Sequence, residues 1–511
     1  FTPKIWVDLS QKYLADVLGE NWQDEYYVWD CAAGTGNLLN GLTNKYNIWA
    51  STLDQQDVDV MKDRIKNGAN LLESHVFQFD FLNDEFTKLP QPLQDIINDP
   101  EKRKKLVVYI NPPYKEAPKF GTNGQKAVEQ SNTNMRYANI LKQGTRELFA
   151  QFYTRIYYEL SDVIIASFST MKILQGAHFV DFRRFFRAKL EKIFLVPAAT
   201  FDNVKGQFPI GFMIWRSGIQ DKPFSQIIAD VYNSDGDNIG NKSIRAYDTT
   251  HYMNEWIKPY RAKSGATGII GKFPFMGNDF QHNNMVQINP KDMLYNAAAG
   301  QFYITASNLV QTAVYFAVRK CIPQTWLNNQ DQFVCPTAGW QKDNEFQNNT
   351  LTFTLFSNNI QSQYGTNHWI PFTEQEVNAK EKFESHFMTD FIAGKLAKHQ
   401  LPDQSTTSLR ELGAEKSFIP TAPLVFSPEA TAVFDAGREL WRYYHTQPRA
   451  NPNASYYDIR EHFQGRNEKG RMNAKSNDAE YNRLLGNLKE AMEALRLKIV
   501  PKVYEYGFLI S

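Results

Sequence analysis

The sequence predicts an α/β fold with a mostly parallel sheet, followed by an α+β region and a helical C-terminus. Up to about residue 220, short β-branched segments alternate with amphipathic segments at helical spacing. One strand candidate, 106–110, is apolar throughout, which is typical of a parallel strand covered on both faces. The alternation then stops, and long helical stripes return only near the end of the chain. We therefore predict three regions, which are 1–220, 221–420 and 421–511.

The composition is that of an ordinary globular protein. The chain has 511 residues, of which 42% are hydrophobic and 22% charged, and its net charge is +1. This charge neither requires nor excludes a nucleic-acid partner, so such a surface must be a local patch. The three cysteines lie far apart in the sequence, which argues against a disulfide framework. Their spacing favours a location in the reducing cytoplasm. No apolar run is long enough to span a bilayer, so we expect a cytoplasmic protein without a membrane partner.

The N-terminal part predicts a ligand-binding turn at the end of a strand. A strand over 26–29 leads into a turn over 30–37 that contains Gly34 and Gly36. A strand, a glycine turn and a helix start let backbone N–H groups approach a ligand closely. The third glycine of the dinucleotide fingerprint is absent, so NAD is not the favoured ligand. A simple tight turn is the alternative.

Acidic residues follow the next two predicted strands. The strand over 48–53 ends in Asp54, about twenty residues beyond the glycines, where an acid commonly holds the ribose of a nucleoside cofactor. The strand over 76–79 ends in Asp80 and Phe81, a pair suited to an adenine amine and its ring face. A helix N-cap is the alternative role for Asp80.

The central motif is Asn111-Pro112-Pro113-Tyr114, which closes the strand over 106–110. In open α/β sheets, ligands bind outside the carboxyl ends of the strands, so Asn111 and Tyr114 should face a substrate. Asn111 brings an amide oxygen, Pro112 a carbonyl and Tyr114 a flat aromatic face. Together they suit a planar base that carries an exocyclic amine, while a proline-stiffened turn is the alternative.

Further elements complete the predicted sheet. We expect 92–105 to be a polar, solvated insertion and the stretch from 115 to about 145 to be a loop over the active site. Phe201 and Phe208 lie in the loop before the last strand. The remaining predictions are helices over 145–160 and 179–190 and strands over 163–168, 193–196 and 210–215.

The middle of the chain predicts a hairpin over 227–232 and 243–247. Its acidic turn lacks the glutamate that closes a calcium loop, and no His or Cys pair has zinc spacing, so we predict no metal site. Helices over 307–320 and 373–398 and a strand over 351–356 follow.

The C-terminal part predicts two helices joined by a basic loop. Ser427 and Pro428 indicate a helix start, and an apolar stripe over 481–499 indicates a long final helix. The loop between them is the best candidate for phosphate contacts, and an ordinary exposed loop is the alternative. Its basic residues are Arg460, Arg466, Lys469, Arg471 and Lys475.

Taken together, these motifs resemble the ordered motifs of amino-methylating DNA methyltransferases. Their order, with a Thr-Pro pair first and a large variable region last, resembles the gamma arrangement of adenine-N6 enzymes, including those of restriction-modification systems. The resemblance covers about residues 1–220 and implies a class I S-adenosylmethionine-dependent methyltransferase fold, which is Rossmann-like, with a target-recognition region beyond it. Cys31-Ala32-Ala33 departs from the family pattern of a Pro and a Cys next to the glycine.

The resemblance implies a role for each motif. Asn111, Pro112, Pro113 and Tyr114 would be catalytic, and Tyr114 with Phe201 or Phe208 would contact the target base. The residues implied for S-adenosylmethionine are Thr2, Pro3, Asp30, Ala32, Gly34, Gly36, Asp54 for the ribose, and Asp80 and Phe81 for the adenine.

The implied reaction transfers a methyl group to an adenine that is flipped out of double-stranded DNA. Oxygen acceptors at Asn111 and Pro112 would stabilise the positive charge that develops on the amine. Two alternatives stay open, which are an RNA or protein-glutamine methyltransferase and a non-catalytic DNA specificity subunit. We find no paired-acid and lysine nuclease motif, so a restriction nuclease would lie on a partner chain or upstream of Phe1.

Overall fold

A computed structural model describes residues 1–114, 131–202, 204–220, 222–247, 251–262, 264–294, 300–396 and 418–510, with only the backbone at 145, 146 and 220. The chain forms two compact units. The first unit comprises Phe1–Thr249 and Thr325–Gln330, and the second comprises Thr250–Gln324 and Asp331–Ser511.

The first unit is built on a sheet whose nine strands all lie in its described ranges, in the order β3-β2-β1-β4-β5-β7-β6-β8-β9. The strands are β1 Tyr27–Asp30, β2 Ile48–Thr52, β3 Val76–Gln78, β4 Leu106–Ile110, β5 Ile164–Thr170, β6 Ala188–Pro197, β7 Pro209–Gln220, β8 Gln226–Tyr232 and β9 Asn238–Arg245. The five strands from β3 to β5 run parallel. Strand β7 is antiparallel to both β5 and β6, and β8 and β9 form the predicted hairpin. The predicted Rossmann-like α/β fold with a mostly parallel sheet is therefore confirmed.

Strand β4 lies in the interior of this sheet, and every one of its side chains is buried. Val107 and Tyr109 face one apolar core, and Val108 and Ile110 face the other. A strand covered on both faces in this way needs the uninterrupted apolar sequence that predicted it. The covered sheet also leaves its carboxyl edge as a rigid support for the residues that follow β4.

Nine helices in the described part of the first unit pack around the sheet. They are α1 Lys4–Leu18, α2 Trp22–Glu25, α3 Gln55–Lys66, α4 Gln91–Asn98, α5 Pro100–Arg103, α6 Asn132–Leu141, α7 Leu148–Glu159, α8 Lys172–Gln175 and α9 Val180–Phe185.

Several sequence-based boundaries in the first unit are wrong. The predicted helix over 179–190 ends at Phe185, because residues from Ala188 onward pair with β7. The segment 92–105 is not simply a solvated insertion, since helix α4 buries an apolar stripe. The predicted loop beyond Tyr114 falls partly on 115–130, outside the described residues, and partly on α6. The boundary at 220 falls inside the sheet, which the β8–β9 hairpin extends.

The second unit is mainly helical and shares one hydrophobic core from Met253 to Leu509. The predicted boundary at 420 therefore does not separate two cores. The elements of this unit are α10 Met253–Ile257, β10 Gly271–Pro274, β11 Gln301–Ile304, α11 Leu309–Lys320, α12 Asn344–Leu355, α13 Phe387–Ile392, α14 Pro428–His445, α15 Tyr456–Gln464 and α16 Ala479–Glu505.

Two predictions in the second unit are wrong. The strand over 351–356 lies mostly in helix α12, where Thr350, Thr352 and Thr354 donate their hydroxyl hydrogens to carbonyls of the preceding turn. The helix over 373–398 is helical only in α13, and residues 397 and 398 lie outside the described part. In contrast, α14 and α16 confirm the two C-terminal helices. None of the helices in the described ranges combines the length and apolar character needed to cross a membrane.

Candidate active site

Four of the predicted site residues lie along one edge of the sheet. Asp30, Asp54, Asp80 and Asn111 stand at or just beyond the carboxyl ends of β1, β2, β3 and β4. These strands are parallel neighbours in the order β3-β2-β1-β4, so their carboxyl ends form one row. In an open α/β sheet this edge is where ligands bind.

The Asn111 side chain is held at both ends of its amide. Its Nδ2 donates to Thr2 Oγ1 at 2.7 Å, and the Tyr114 hydroxyl donates to its Oδ1. Thr2 is buried, and the next residue, Pro3, accepts the backbone N–H groups of Trp6 and Val7 with its carbonyl. The amide therefore sits against the start of helix α1 rather than in open solvent.

The rest of the Asn-Pro-Pro-Tyr motif presents one aromatic ring. Pro112 is buried, Pro113 is exposed and Tyr114 is half-buried against the same apolar core as α1. Burial raises the pKa of Tyr114 well above its ordinary value, so its hydroxyl keeps its proton and can donate at neutral pH. A neutral, partly accessible ring next to an amide oxygen can hold a planar heterocycle.

The turn after β1 combines a buried acid with two left-handed glycines. Asp30 is 1% exposed, and its Oδ1 accepts the backbone N–H of Ala32 at 3.0 Å. Burial raises the pKa of Asp30 to about 7. Gly34 and Gly36 have φ angles of +51° and +79°, and a side chain at Gly36 would meet Met61 Sδ at 3.1 Å. Only glycine fits this turn, which keeps the backbone open to a ligand.

Asn40, which follows the glycine turn, has a structural role that sequence reasoning missed. Arg64 on α3 donates from Nη2 to Asn40 Oδ1 and from Nη1 to Asn37 Oδ1, each at 2.9 Å. The same guanidinium donates to the carbonyl of Thr35. Arg64 thus braces the outer side of the glycine turn, and nothing local in the sequence signals this long-range contact.

Asp54 and Asp80 differ in how much of each carboxylate is already bound. Asp54 is exposed at the start of α3, and its side chain makes no capping hydrogen bond. Asp80 Oδ1 accepts the backbone N–H groups of Leu82 and Asn83 at 3.0 and 3.2 Å. Its Oδ2 accepts from Asn83 Nδ2 at 2.8 Å. Asp80 therefore caps a turn, which is close to the helix N-cap predicted from the sequence as its alternative role. Asp54, in contrast, is free to bind a ligand hydroxyl.

Phe81 is a core residue rather than an open stacking surface. Its ring is 3% exposed and stacks on Phe152 with a centroid distance of 5.0 Å. The Arg155 guanidinium also lies over this ring, at 5.2 Å from its centroid. The structure therefore does not present the Phe81 ring to an adenine, contrary to the role implied by the resemblance.

The two candidate aromatic residues before β7 are distinguished by their burial. Phe201 is 4% exposed and packs edge-on against Phe168. Phe208 is half-buried directly before β7, and its carbonyl accepts the backbone N–H of Ala198 at 3.0 Å. Phe208 therefore offers the more accessible ring at this edge. Helix α1 also reaches this loop, because Trp6 Nε1 donates to Thr200 Oγ1 at 2.8 Å.

The basic loop, residues 465–475 of the second unit, exposes only some of its predicted cations. Arg466 uses its donors internally, on Glu461, the Gly470 carbonyl and the Tyr457 hydroxyl. Arg460, on α15, is half-buried over the ring of Tyr456. Lys469, Arg471 and Lys475 are exposed, as Arg466 is, but their side chains make no hydrogen bond within the described residues.

No group of three or more His, Cys, Asp or Glu residues in the described ranges is arranged to hold a metal ion.

No family model matches this chain, and no curated protein is similar to it. Solved structures align with part of it. The type I restriction-modification methyltransferase subunit from Streptococcus thermophilus is 16% identical over 48% of this chain and 49% of its own, with a TM-score of 0.32. The DrdV–DNA complex is 15% identical over 46% of this chain and 27% of its own, with a TM-score of 0.34. The EcoKI M protein is 16% identical over 46% of this chain and 48% of its own, with a TM-score of 0.29. The aligned part thus spans half or less of each of these chains.

Proposed function

We propose that this chain is an S-adenosylmethionine-dependent DNA methyltransferase that modifies the N6 amine of adenine, as part of a restriction-modification system. The observation that carries the proposal is the amide of Asn111, held at the carboxyl end of β4 with an aromatic ring beside it. The strand next to β4 ends in the glycine turn at Asp30. An acceptor for an amine and a cradle for a nucleoside cofactor therefore occupy neighbouring strand ends.

The residues at the strand ends fit S-adenosylmethionine. Gly34 and Gly36 adopt left-handed conformations that keep the turn after β1 open, and Asp30 places a buried carboxyl group at the start of this turn. The uncapped carboxylate of Asp54 suits a pair of ribose hydroxyls. When bound, the cofactor supplies the activated methyl group. Asp80 would offer the cofactor only the carboxylate lone pairs that the hydrogen bonds of its own turn do not already use.

The target amine would be activated by acceptors rather than by a general base. The lone pair of an adenine amine is delocalised into the ring, so the nitrogen is a weak nucleophile. Asn111 Oδ1 and the Pro112 carbonyl would accept its two hydrogens and stabilise the positive charge that develops as the nitrogen–carbon bond forms. The methyl carbon would leave the sulfur of the cofactor, which would keep the electron pair of the broken bond as a neutral thioether. The surplus proton leaves the nitrogen for water afterwards. Tyr114, and Phe208 as a second aromatic surface, would stack on the flipped base, a contact worth about 1–3 kcal/mol.

The first test is transfer of labelled methyl from S-adenosylmethionine to unmethylated duplex DNA, followed by digestion of the product to nucleosides. We expect the label in N6-methyladenine. Label confined to RNA or to protein glutamine would refute DNA as the substrate. Binding of both cofactor and DNA without any transfer would instead indicate a non-catalytic specificity subunit.

The second unit is proposed to recognise the DNA target, with the basic loop contacting phosphates. We expect the triple substitution Lys469→Ala, Arg471→Ala and Lys475→Ala to weaken DNA binding roughly tenfold, equally for all sequences. The slope of log affinity against log salt should fall by up to about 3, because each lost phosphate contact removes nearly one released counterion. Fluorescence anisotropy over a salt series measures both quantities.

The matched control removes three exposed lysines elsewhere in the second unit, by Lys380→Ala, Lys382→Ala and Lys489→Ala. This control changes the net charge by the same amount. An equal loss of affinity in both triple variants would show a general charge effect and would contradict the assignment of the basic loop.

A further inference from the structure

The resemblance implies a cofactor role for Thr2, but the structure gives this residue a different contact. Thr2 Oγ1 accepts a hydrogen bond of 2.7 Å from Asn111 Nδ2, across 109 residues of sequence. Thr2 is 8% exposed, so its hydroxyl has little access to water. The contact therefore joins the first residues of the described chain directly to the proposed acceptor amide.

Helix α1 fixes the position of Thr2 through contacts with the same strand that carries Asn111. Ser10 Oγ lies 2.6 Å from the hydroxyl of Tyr109, which stands two residues before Asn111. Pro3, between Thr2 and the helix, closes the first turn by accepting the N–H groups of Trp6 and Val7. Helix α1 thus contacts β4 through Ser10 and Tyr109, and the residues directly outside these two elements, Thr2 and Asn111, form the second contact.

An asparagine amide has one donor end and one acceptor end, and rotation about its last bond exchanges them. Thr2 holds the donor end, while the Tyr114 hydroxyl donates to the acceptor end. The Tyr114 hydroxyl therefore shows one direction from which an N–H or O–H donor can reach Asn111 Oδ1. If the amide turned over, its own N–H groups would face the hydrogens of a target amine, and the two donors would repel.

We propose that Thr2 is a positioning residue that holds the Asn111 amide in place at the carboxyl end of β4, where its oxygen can meet the target amine. This inference rests on the proposed function, because it assigns Thr2 a part in that reaction. Thr2 acts on turnover through Asn111 and not through the affinity for the cofactor.

The test compares Thr2→Val, which keeps the branched shape and removes the hydroxyl, with Thr2→Ser, which restores the hydroxyl. We expect Thr2→Val to lower kcat about tenfold, the effect of one lost hydrogen bond on a transition state. The Kd for S-adenosylmethionine, measured by calorimetry, should change less than about twofold. Thr2→Ser should recover most of the lost turnover.

A second measurement reads the hydrogen bond without relying on activity. In protein labelled with ¹⁵N-asparagine, the Asn111 side-chain resonance is assigned by its loss in Asn111→Ala. We expect its amide protons to exchange with water faster in Thr2→Val than in the wild type, and slowly again in Thr2→Ser. Thr43→Val serves as the control, because it removes an exposed hydroxyl that bonds to Gln23 on the same unit.

Three results would overturn the inference. A tenfold loss of cofactor affinity with unchanged kcat would make Thr2 a cofactor residue. Unchanged exchange of the Asn111 amide in Thr2→Val would show that Thr2 does not hold it, and unchanged kcat would show that holding it does not matter. Wild-type protein that methylates no DNA would refute the proposed function itself, whatever the Thr2 variants do, so the two failures are distinguishable.

Discussion

Replacing Asn111 with alanine is expected to lower methyl transfer to DNA by about 10²–10³-fold, because it removes a preorganised group that stabilises developing charge. The oxygen of this amide is the only part of the side chain that can accept a hydrogen from the target amine. Steady-state transfer of labelled methyl measures the change in kcat. DNA affinity should stay close to that of the wild type, since most of it comes from phosphate contacts.

Two further variants make the Asn111 experiment specific. Asn111→Asp keeps acceptor oxygens at the same position and should retain more activity than Asn111→Ala. Asn98→Ala removes an exposed asparagine at the end of α4 and should leave transfer unchanged. If Asn111→Ala retained more than about a tenth of the wild-type turnover, the acceptor role would be wrong.

Replacing Asp30 with asparagine is expected to stabilise the cofactor-free protein at pH 8 while weakening its binding of S-adenosylmethionine. Burial raises the pKa of Asp30 from 3.8 to about 7 in the folded state. Between these values the folded state holds a proton that the unfolded state has lost, so the stability of the wild type falls as pH rises from about 4 to about 7. The full difference is roughly 4 kcal/mol at most, at 1.36 kcal/mol for each pKa unit.

Urea unfolding of the wild type and Asp30→Asn across pH 4–8 would measure this effect, because the difference between the two proteins isolates Asp30 from other titrating groups. The difference should be near zero at pH 4 and should reach its maximum above pH 7.

Calorimetry at pH 8 should show a weaker cofactor complex, since the cofactor carries a sulfonium and an ammonium cation that favour a nearby carboxylate. Asp59→Asn, on an exposed position of α3, should show no such trend. A flat difference for Asp30→Asn would mean that the carboxylate is ionised in the folded protein throughout.

The sequence predicted the parts of the fold that depend on local pattern. The apolar run of β4 and the apolar stripe of α16 were sufficient to predict these two elements, because each element buries side chains at a regular spacing. Helix α12 was missed because its threonines have β-propensity, and their hydroxyls are satisfied only once the helix and its capping residue Asp343 are in place. The threonine-rich segment 350–354 therefore shows tertiary context overriding local preference.

The candidate site was predicted as a set of positions but not as a set of contacts. Asn111 and Asp30 could be identified because each follows a strand, and parallel strands bring their carboxyl ends together. The partner of Asn111 could not be identified, since no local pattern joins it to Thr2. Likewise, the sequence could not show that Arg466 uses its guanidinium internally, because that depends on how the basic loop folds back on α15.

The hydrogen bond from Tyr114 to Asn111 already uses one of the two lone pairs of this amide oxygen in the resting site. A base that carries an N–H donor can replace the bond that it displaces, so the exchange changes the number of hydrogen bonds little. A base without such a donor would leave the oxygen with no partner if the tyrosine hydroxyl moved away, which is unfavourable in a water-poor site. If the proposed function is correct, selectivity for an amino-bearing base would follow from the exchange of one hydrogen-bond donor for another at this oxygen.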